Sequence, residues 1–252
     1  MHVRNLPAIT PRYWAAILVA SMCGANTGDF LSHNLHLGHW RGLAPLAALF
    51  LLIVWAERRS RIATEAYYWL AIIVVRTAAT NLADLATHDF GLGYPATDAA
   101  LTALLAAVVA LDPGRKQSAN AVGRGVSSAS IMKLPATDTP YWVAMLIAGT
   151  LGTASGDWVA HSLGLGFASV VLVAVFGVVL LTAWRVGGMS VSWYWTGIVA
   201  ARTAGTTLGD YLASRHGLDL GLSVSTSWTA CMLAAVVVLW PHQPAVVSAP
   251  AR

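Results

Sequence analysis

Four short stretches of the sequence combine an aspartate, a histidine and a glycine at similar spacing. They read TGDFLSHNLHLG, LADLATHDFGLG, SGDWVAHSLGLG and LGDYLASRHGLDLG. In the first three, the histidine follows the aspartate by four residues, which places both side chains on one stripe of a helix. Carboxylate and imidazole groups together bind borderline divalent metals such as manganese, iron, cobalt, nickel and zinc. The candidate metal ligands are Asp29, His33, Asp84, His88, Asp157, His161, Asp210 and His216.

The composition indicates that these stretches belong to membrane-spanning helices. Of the 252 residues, 57% are hydrophobic and only 10% are charged, whereas a soluble domain has about 25% charged residues. Eight apolar runs are each close to the ~20 residues that cross a bilayer. We therefore predict an all-α integral membrane protein whose eight transmembrane helices form four parallel tandem hairpins. The predicted spans are residues 13–34, 42–57, 66–88, 95–111, 140–161, 166–184, 192–214 and 222–240.

The four hairpins form two similar halves. Asp29 corresponds to Asp157 at an offset of 128 residues, and Arg76 corresponds to Arg202 at an offset of 126. Since all four hairpins start on the same side, the repeats are related by a pseudo-fourfold or pseudo-twofold axis along the membrane normal. We assign the first half to residues 1–111, a basic cytoplasmic linker to 112–138 and the second half to 139–242.

The distribution of basic residues predicts the orientation. Eleven of the fifteen Lys and Arg residues lie at the termini or in even-numbered links, two lie in odd-numbered links and two lie inside spans. Positive residues favour the cytoplasmic side, so both termini should be cytoplasmic and the glycine-bearing turns should face outward. Because the charges are spread over short links, the net charge of +4 does not indicate nucleic-acid binding. The expected partners are the lipid bilayer and a small ion or solute, and a homo-oligomer is left open.

Two arginines fall inside the predicted spans. Arg76 and Arg202 each precede an aspartate of the same helix by eight residues. A charge at this depth costs several kcal/mol unless it is paired or hydrated, so we predict that both guanidinium groups meet aspartate carboxylates, as counter-charges or as a gate. Two central positive charges would also raise the barrier to a cation and favour an anionic or zwitterionic solute beneath the aspartates.

Small residues recur five positions and one position before every aspartate. This small-xxx-small spacing lets helix backbones approach closely, so we predict that helices 1, 3, 5 and 7 form the packed centre and that helices 2, 4, 6 and 8 face lipid. Aromatic pairs such as Tyr13-Trp14 start the central helices and are typical of interfacial anchors. The small residues are Gly24, Gly28, Ala79, Ala83, Gly152, Gly156, Gly205 and Gly209.

The fourfold two-helix repeat, with its Asp, His and Leu-Gly-rich turn, resembles a family of bacterial membrane proteins built from tandem repeats of unknown function. The resemblance covers nearly the whole chain outside the central link and the tails. It implies the repeat architecture and a multi-pass location in the bacterial cytoplasmic (inner) membrane, and it implies no substrate. The fourth copy departs from the pattern through two extra residues between Asp210 and His216.

These residues predict a membrane transporter or channel for a small solute, with a divalent metal cation as the leading substrate. Asp29 follows Tyr13 by 16 residues, about 24 Å of helix in an apolar layer of about 30 Å, so the aspartates should lie near the outer face. The alternatives are an intramembrane enzyme that uses the Asp/His cluster, and a scaffold or sensor in which the cluster is structural. The sequence contains no Walker loop, dinucleotide fingerprint, G-x-S-x-G or H-E-x-x-H motif.

Overall fold

The computed structural model describes residues 7–60, 64–111, 137–186 and 190–240, and it places them in helices and short turns without any strand. The all-α prediction is therefore confirmed over these ranges, and helices lie at all eight predicted positions. Residues 112–136 of the predicted linker, including all four of its basic residues, lie outside the described residues. The helices are α1 (Pro11–Asp29), α2 (Gly38–Arg59), α3 (Ala66–Asp84), α4 (Tyr94–Leu111), α5 (Thr139–Leu163), α6 (Leu165–Arg185), α7 (Val191–Ala213) and α8 (Gly221–Leu239).

Local sequence signals set where the inner helices start. Pro11 begins α1, where its missing N–H is not needed. The Asp138 side chain accepts a hydrogen bond from the Tyr141 N–H at the start of α5, and the Ser190 hydroxyl accepts one from the Trp193 N–H at the start of α7. Such side-chain caps satisfy N–H groups that have no partner within the helix.

Left-handed glycines make the turns at the other end of the inner helices. Gly38, Gly93 and Gly221 have φ angles of 64°, 72° and 73°, a region that a residue without Cβ enters freely. In the third copy the turn occurs at Gly164, with φ of 80°, two residues before the Gly166 that the repeat pattern indicates. This earlier turn joins α5 to α6 through a single residue.

The inner helices α1, α3, α5 and α7 lie at the centre of the bundle and form a closed ring. α1 packs against α3 and α7, and α5 packs against the same two helices. Glycine makes the close approach possible: a Cβ at Gly28 would lie 2.6 Å from Thr80 Cβ, and one at Gly152 would lie 2.6 Å from Arg202 Cβ. The small-xxx-small spacing therefore marks the surfaces through which neighbouring inner helices meet.

Each outer helix packs mainly against the inner helix of the following repeat. α2 lies on α3, α4 on α5, α6 on α7, and α8 returns to lie on α1. A side-chain contact closes this circle, since Arg12 of α1 pairs with Glu65 at 2.9 Å and donates a hydrogen bond to the Val237 carbonyl of α8 at 2.8 Å. The two helices of a predicted hairpin therefore follow each other in the chain, but in each repeat the outer helix makes its main contacts with the inner helix of the next repeat.

Six of the helices are long and apolar enough to cross a membrane: α2, α3 with its π-helical extension, α4, α5, α6 and α8. Their hydropathy confirms the membrane character that the composition predicts. α1 and α7 are not among the six, because their polar side chains lower the hydropathy. Those side chains lie in the core of the bundle, where Ser21, Asn26, Arg202 and Thr207 are fully buried.

Candidate functional site

The four repeated aspartates line one cavity at the carboxyl ends of the inner helices. The cavity has a volume of about 330 Å³. Each aspartate comes from a different inner helix and is half-buried. The sequence repeat therefore converges on a single acidic site, whose lining residues are Ala25, Asp29, His33, His39, Thr80, Asp84, His88, Thr153, Asp157, Thr206 and Asp210.

Only the first half contributes histidines to this cavity. His33 and His88 line it, together with His39 at the start of α2. The corresponding histidines of the second half, His161 and His216, are exposed and do not belong to the cavity lining. The structure thus brings together six of the eight residues proposed from sequence, and the cavity mouth has histidines on one side only.

π-helical turns account for this difference between the halves. The chain forms a π-helical segment directly after Asp29, at Phe30–Asn34, and another directly after Asp84, at Leu85–Asp89. A π-helical turn contains an extra residue and changes the direction of the side chains that follow. α5 instead continues as a regular α-helix to Leu163, so the His161 side chain keeps its α-helical direction and lies outside the cavity lining.

His39 links two acidic side chains at the cavity mouth. Its Nδ1 lies 3.1 Å from Asp89 Oδ2, and its Nε2 lies 3.7 Å from Asp84 Oδ2. His88 Nδ1 lies 3.9 Å from the other oxygen of Asp84. Across the described ranges, no three His, Cys, Asp or Glu side chains are grouped closely enough to hold a metal ion together. The mouth is therefore a network of His and Asp contacts, without a preformed metal coordination shell.

A layer of small and hydroxyl side chains lies one helical turn below the aspartates. Its four members each precede an aspartate by four residues, and all of them line the cavity. Three are threonines and one is alanine, so the floor of the cavity is polar on three helices and apolar on α1. The members are Ala25, Thr80, Thr153 and Thr206.

Arg202 lies fully buried beneath this layer and joins all four inner helices. Its Nε donates to Thr153 Oγ1 of α5 at 2.9 Å, and its Nη1 donates to the Ser21 carbonyl of α1 at 2.7 Å. Its Nη2 donates to α3 twice, at the Arg76 carbonyl and at Thr80 Oγ1. Because Arg202 itself belongs to α7, this one side chain connects the whole inner ring.

The predicted pairing of the two arginines with carboxylates is wrong. Arg202 interacts electrostatically with Asp29, Asp157 and Asp210, but its hydrogen bonds go to carbonyl and hydroxyl oxygens that lie closer. Arg76 is also fully buried, and its Nε, Nη1 and Nη2 atoms have no hydrogen-bond partner among the described residues. The titratable side chains within electrostatic range of its guanidinium group are four neutral tyrosines on the far side from the cavity, and not the aspartates.

Those tyrosines form a closed ring of hydroxyl groups near the amino ends of the inner helices. The Tyr13 hydroxyl lies 3.0 Å from that of Tyr68 and 2.7 Å from that of Tyr194. The Tyr141 hydroxyl completes the ring at 2.8 Å from Tyr68 and 3.0 Å from Tyr194. Four O–H donors make four hydrogen bonds, so each hydroxyl donates once and accepts once.

The tyrosine ring corrects the prediction that these aromatic residues are interfacial anchors. All four tyrosines are at most 3% exposed. The tryptophan that follows each one is also buried and packs edge-to-face against it, as Trp14 does against Tyr13 at 5.4 Å between ring centroids. A signal was present in the sequence, because every one of these tyrosines precedes a repeated aspartate by 16 residues. His39, the cavity histidine that the sequence did not indicate, has no such repeated spacing from an aspartate.

Replacing Tyr194 with phenylalanine should lower the stability of the protein by about 2 kcal/mol. The change removes two hydrogen bonds and leaves one buried hydroxyl without an acceptor, and a buried unsatisfied donor costs about 1–3 kcal/mol. Unfolding in mild detergent, followed by circular dichroism, measures the effect. Tyr67→Phe is the matched control, because Tyr67 is half-buried and lies outside the ring. Equal stability of the two variants would contradict a cooperative hydroxyl ring.

Four helical repeats, six helices able to cross a membrane and an acidic cavity between the inner helices define a helical-repeat membrane protein. The chain belongs to the family described as Repeat of Unknown Function (DUF347), whose model matches residues 12–63, 67–112, 140–188 and 193–243. The family predicted from the repeated motif is thereby confirmed. No curated protein and no solved structure matches the chain.

Proposed function

We propose that the protein is a membrane transporter for a small, positively charged solute, which binds between the four aspartates. The observation that carries the proposal is the convergence of Asp29, Asp84, Asp157 and Asp210 on one cavity. Its volume of about 330 Å³ lies at the small end of ligand pockets, which range over about 300–1,000 Å³. In this proposal all eight helices cross the membrane, both termini are cytoplasmic and the cavity opens outward.

The balance of charges supports a cation as the solute. When ionised, the four cavity carboxylates outnumber the two buried guanidinium groups of Arg76 and Arg202. Arg202 already donates four hydrogen bonds to protein acceptors, so it has little capacity left to bind an anionic group. A cation is therefore favoured over the anionic or zwitterionic solute that the two arginines alone suggest.

A divalent metal ion is one such cation, and it would be held through its water shell. Since no metal-holding group of three side chains lies within the described residues, the aspartates would accept hydrogen bonds from bound waters. Six waters occupy about 180 Å³, which fits the cavity. A small organic amine of similar size would use its own N–H donors in the same way.

The tyrosine end of the bundle favours alternating access over a permanently open channel. Below the cavity, the axis is occupied in turn by Arg202, Arg76 and the closed tyrosine ring. A cation that followed this axis would meet two buried positive charges, which form an electrostatic barrier. Transport in this proposal therefore requires a rearrangement of the inner helices.

The test is cation flux in proteoliposomes with Asp157→Asn. The substitution keeps the shape of the side chain and removes one carboxylate, so flux of manganese(II) or methylammonium should fall at least about tenfold, the factor that corresponds to about 1.4 kcal/mol. Asp219→Asn is the matched control, since Asp219 is exposed and lies outside the cavity lining.

Unchanged flux in Asp157→Asn would contradict the proposal that a cation passes through the aspartate cavity. Loss of folding, measured by thermal unfolding and gel filtration, would favour the scaffold role, in which the aspartates only hold helices together. Chemical conversion of a solute in detergent, without any gradient, would favour the alternative that the protein is an intramembrane enzyme.

A further inference from the structure

We propose that the cavity binds the ammonium group of a small primary amine and holds it on the side formed by α5 and α7, against Thr206, Asp157 and Asp210. This assignment rests on the proposed function, because it names the class of the cation that occupies the same cavity. A primary ammonium group carries three N–H donors. The three side chains supply one hydroxyl and two carboxylate acceptors, so each donor meets an acceptor.

The first supporting observation is a hydroxyl group without a partner on the cavity floor. Thr206 lines the cavity and is only 2% exposed, and its Oγ1 has no hydrogen-bond partner in the described part of the chain. Buried polar groups are normally hydrogen-bonded, and leaving one without a partner is unfavourable. A bound solute that supplies an N–H donor would satisfy this hydroxyl.

The other three residues of the floor show what Thr206 is suited to bind. Thr80 and Thr153 occupy the equivalent places on α3 and α5, and both accept N–H hydrogen bonds from the Arg202 guanidinium group. Ala25, the residue on α1, has no side-chain acceptor. Arg202 directs its hydrogen bonds to α1, α3 and α5 and makes none with Thr206 of its own helix. Among these four floor residues, Thr206 therefore has the hydroxyl that is left for an N–H donor of the solute.

Two carboxylates flank this hydroxyl. Asp210 follows Thr206 by four residues on α7, which places it one helical turn above. A Cβ at Gly156 of α5 would lie 3.4 Å from Thr206 Cβ, and Asp157 directly follows that glycine. Thr206 thus lies where α5 meets α7, and the aspartates of both helices line the cavity above it.

The histidines make the two sides of the cavity unequal. On the first-half side, Asp84 lies 3.7 Å from His39 Nε2 and 3.9 Å from His88 Nδ1. Among the described residues, no histidine of the second half lines the cavity. Asp157 and Asp210 therefore do not share their carboxylates with an imidazole of their own half, and they are the freer acceptors for an ammonium group.

The same two aspartates reduce the repulsion between the solute and the arginine below it. Asp157 and Asp210 both lie within electrostatic range of Arg202. When ionised, they place two negative charges beside a floor that carries one positive charge. Charges interact strongly in a site shielded from water, so an ammonium group is stable above Arg202 only where such carboxylates flank it.

The first test measures binding of methylammonium and of tetramethylammonium to the full chain in mild detergent, by isothermal titration calorimetry. Both ions are monovalent, but tetramethylammonium has no N–H donor, so the wild-type protein should bind methylammonium at least about tenfold more tightly. Thr206→Val keeps the shape of the side chain and removes the hydroxyl. It should weaken methylammonium binding about tenfold, because a hydrogen bond to a charged group is lost. Thr206→Ser retains a hydroxyl and should retain methylammonium binding.

Thr182→Val is the matched control for this substitution, since Thr182 lies on α6 outside the cavity lining. Without solute, Thr206→Val should melt at the wild-type temperature, because Thr206 Oγ1 gives up no hydrogen bond within the described residues. Equal methylammonium affinities of the wild-type and Thr206→Val proteins would overturn the assignment.

A second pair of variants keeps the test decisive if position 206 does not tolerate valine. Asp210→Asn removes a carboxylate beside Thr206, whereas Asp84→Asn removes the carboxylate that contacts His39 and His88. Methylammonium binding should weaken at least about tenfold more in Asp210→Asn than in Asp84→Asn. Equal losses in the two variants, or a larger loss in Asp84→Asn, would overturn the placement between α5 and α7.

Manganese(II) and flux separate this assignment from the proposed function. If manganese(II) binds and methylammonium does not, the aspartate cavity is a cation site and the primary-amine assignment is wrong. If methylammonium binds in a way that requires the Thr206 hydroxyl but is not carried into proteoliposomes, the amine site is supported and transport is contradicted. If neither ion binds, both the assignment and the proposed function fail.

Discussion

Gly205→Ala should destabilise the protein by about 3 kcal/mol, although it adds only one methyl group. A Cβ at Gly205 would collide with Ser21 Cβ, and it would lie 3.1 Å from both the Leu18 carbonyl oxygen and the Met22 nitrogen. Two of these atoms belong to the backbone of α1, so no side chain can rotate away. Overpacking typically costs about 1–3 kcal/mol. Because backbone atoms of α1 cannot move aside as a side chain can, we expect a cost at the upper end of this range.

The measurement is thermal unfolding in mild detergent, with Gly177→Ala as the control. Gly177 is a helical glycine of α6 that is exposed, and a Cβ there would meet nothing within 4 Å. Alanine has a higher helix propensity than glycine by about 1 kcal/mol, so the control should be neutral or slightly more stable. A Gly205→Ala protein as stable as the control would show that α1 and α7 are not in close contact.

Arg202→Met should cost about 3 kcal/mol or more, whereas Arg76→Met should be neutral or stabilising. Arg202 makes four hydrogen bonds that join α1, α3 and α5 to α7, and hydrogen bonds to charged groups contribute about 1.5–3 kcal/mol each. Arg76 makes none with the described residues. Replacement of an unpaired buried charge by an apolar side chain of similar length removes a desolvation cost.

The comparison is internally controlled, because both residues are fully buried and occupy equivalent places in the repeat. The melting temperature of Arg202→Met should fall by about 6–12 °C, from about 2–4 °C for each kcal/mol in a chain of this size. Arg76→Met should unfold at or above the wild-type temperature. Equal losses in the two variants would mean that Arg76 also has acceptors in the native protein.

Features that depend on helical spacing were predictable from the sequence. The four aspartates converge on one cavity because each lies on an inner helix at the same distance from a small-xxx-small surface. The glycines of that surface mark the inner ring, since a close backbone approach requires a residue without a side chain. The tyrosine ring was equally accessible, because Tyr13, Tyr68, Tyr141 and Tyr194 keep one spacing from the aspartates.

Features that depend on departures from regular geometry were not predictable. The π-helical turns after Asp29 and Asp84 bring first-half histidines to the cavity, and no simple sequence period marks such a turn. The prediction that Arg76 and Arg202 pair with aspartates follows from opposite charges on one stripe of a helix, which attract each other when the helix is considered alone. In the bundle, carbonyl and hydroxyl oxygens of neighbouring helices lie closer to Arg202 than the carboxylates do.

The packing of each outer helix on the next repeat makes the two halves of the chain inseparable. A chain that ended after α4 would leave α4 without α5 and leave α1 without α8, so both helices would expose a face evolved for contact with protein. The contacts of α4 with α5 and of α8 with α1 therefore tie the first half of the chain to the second.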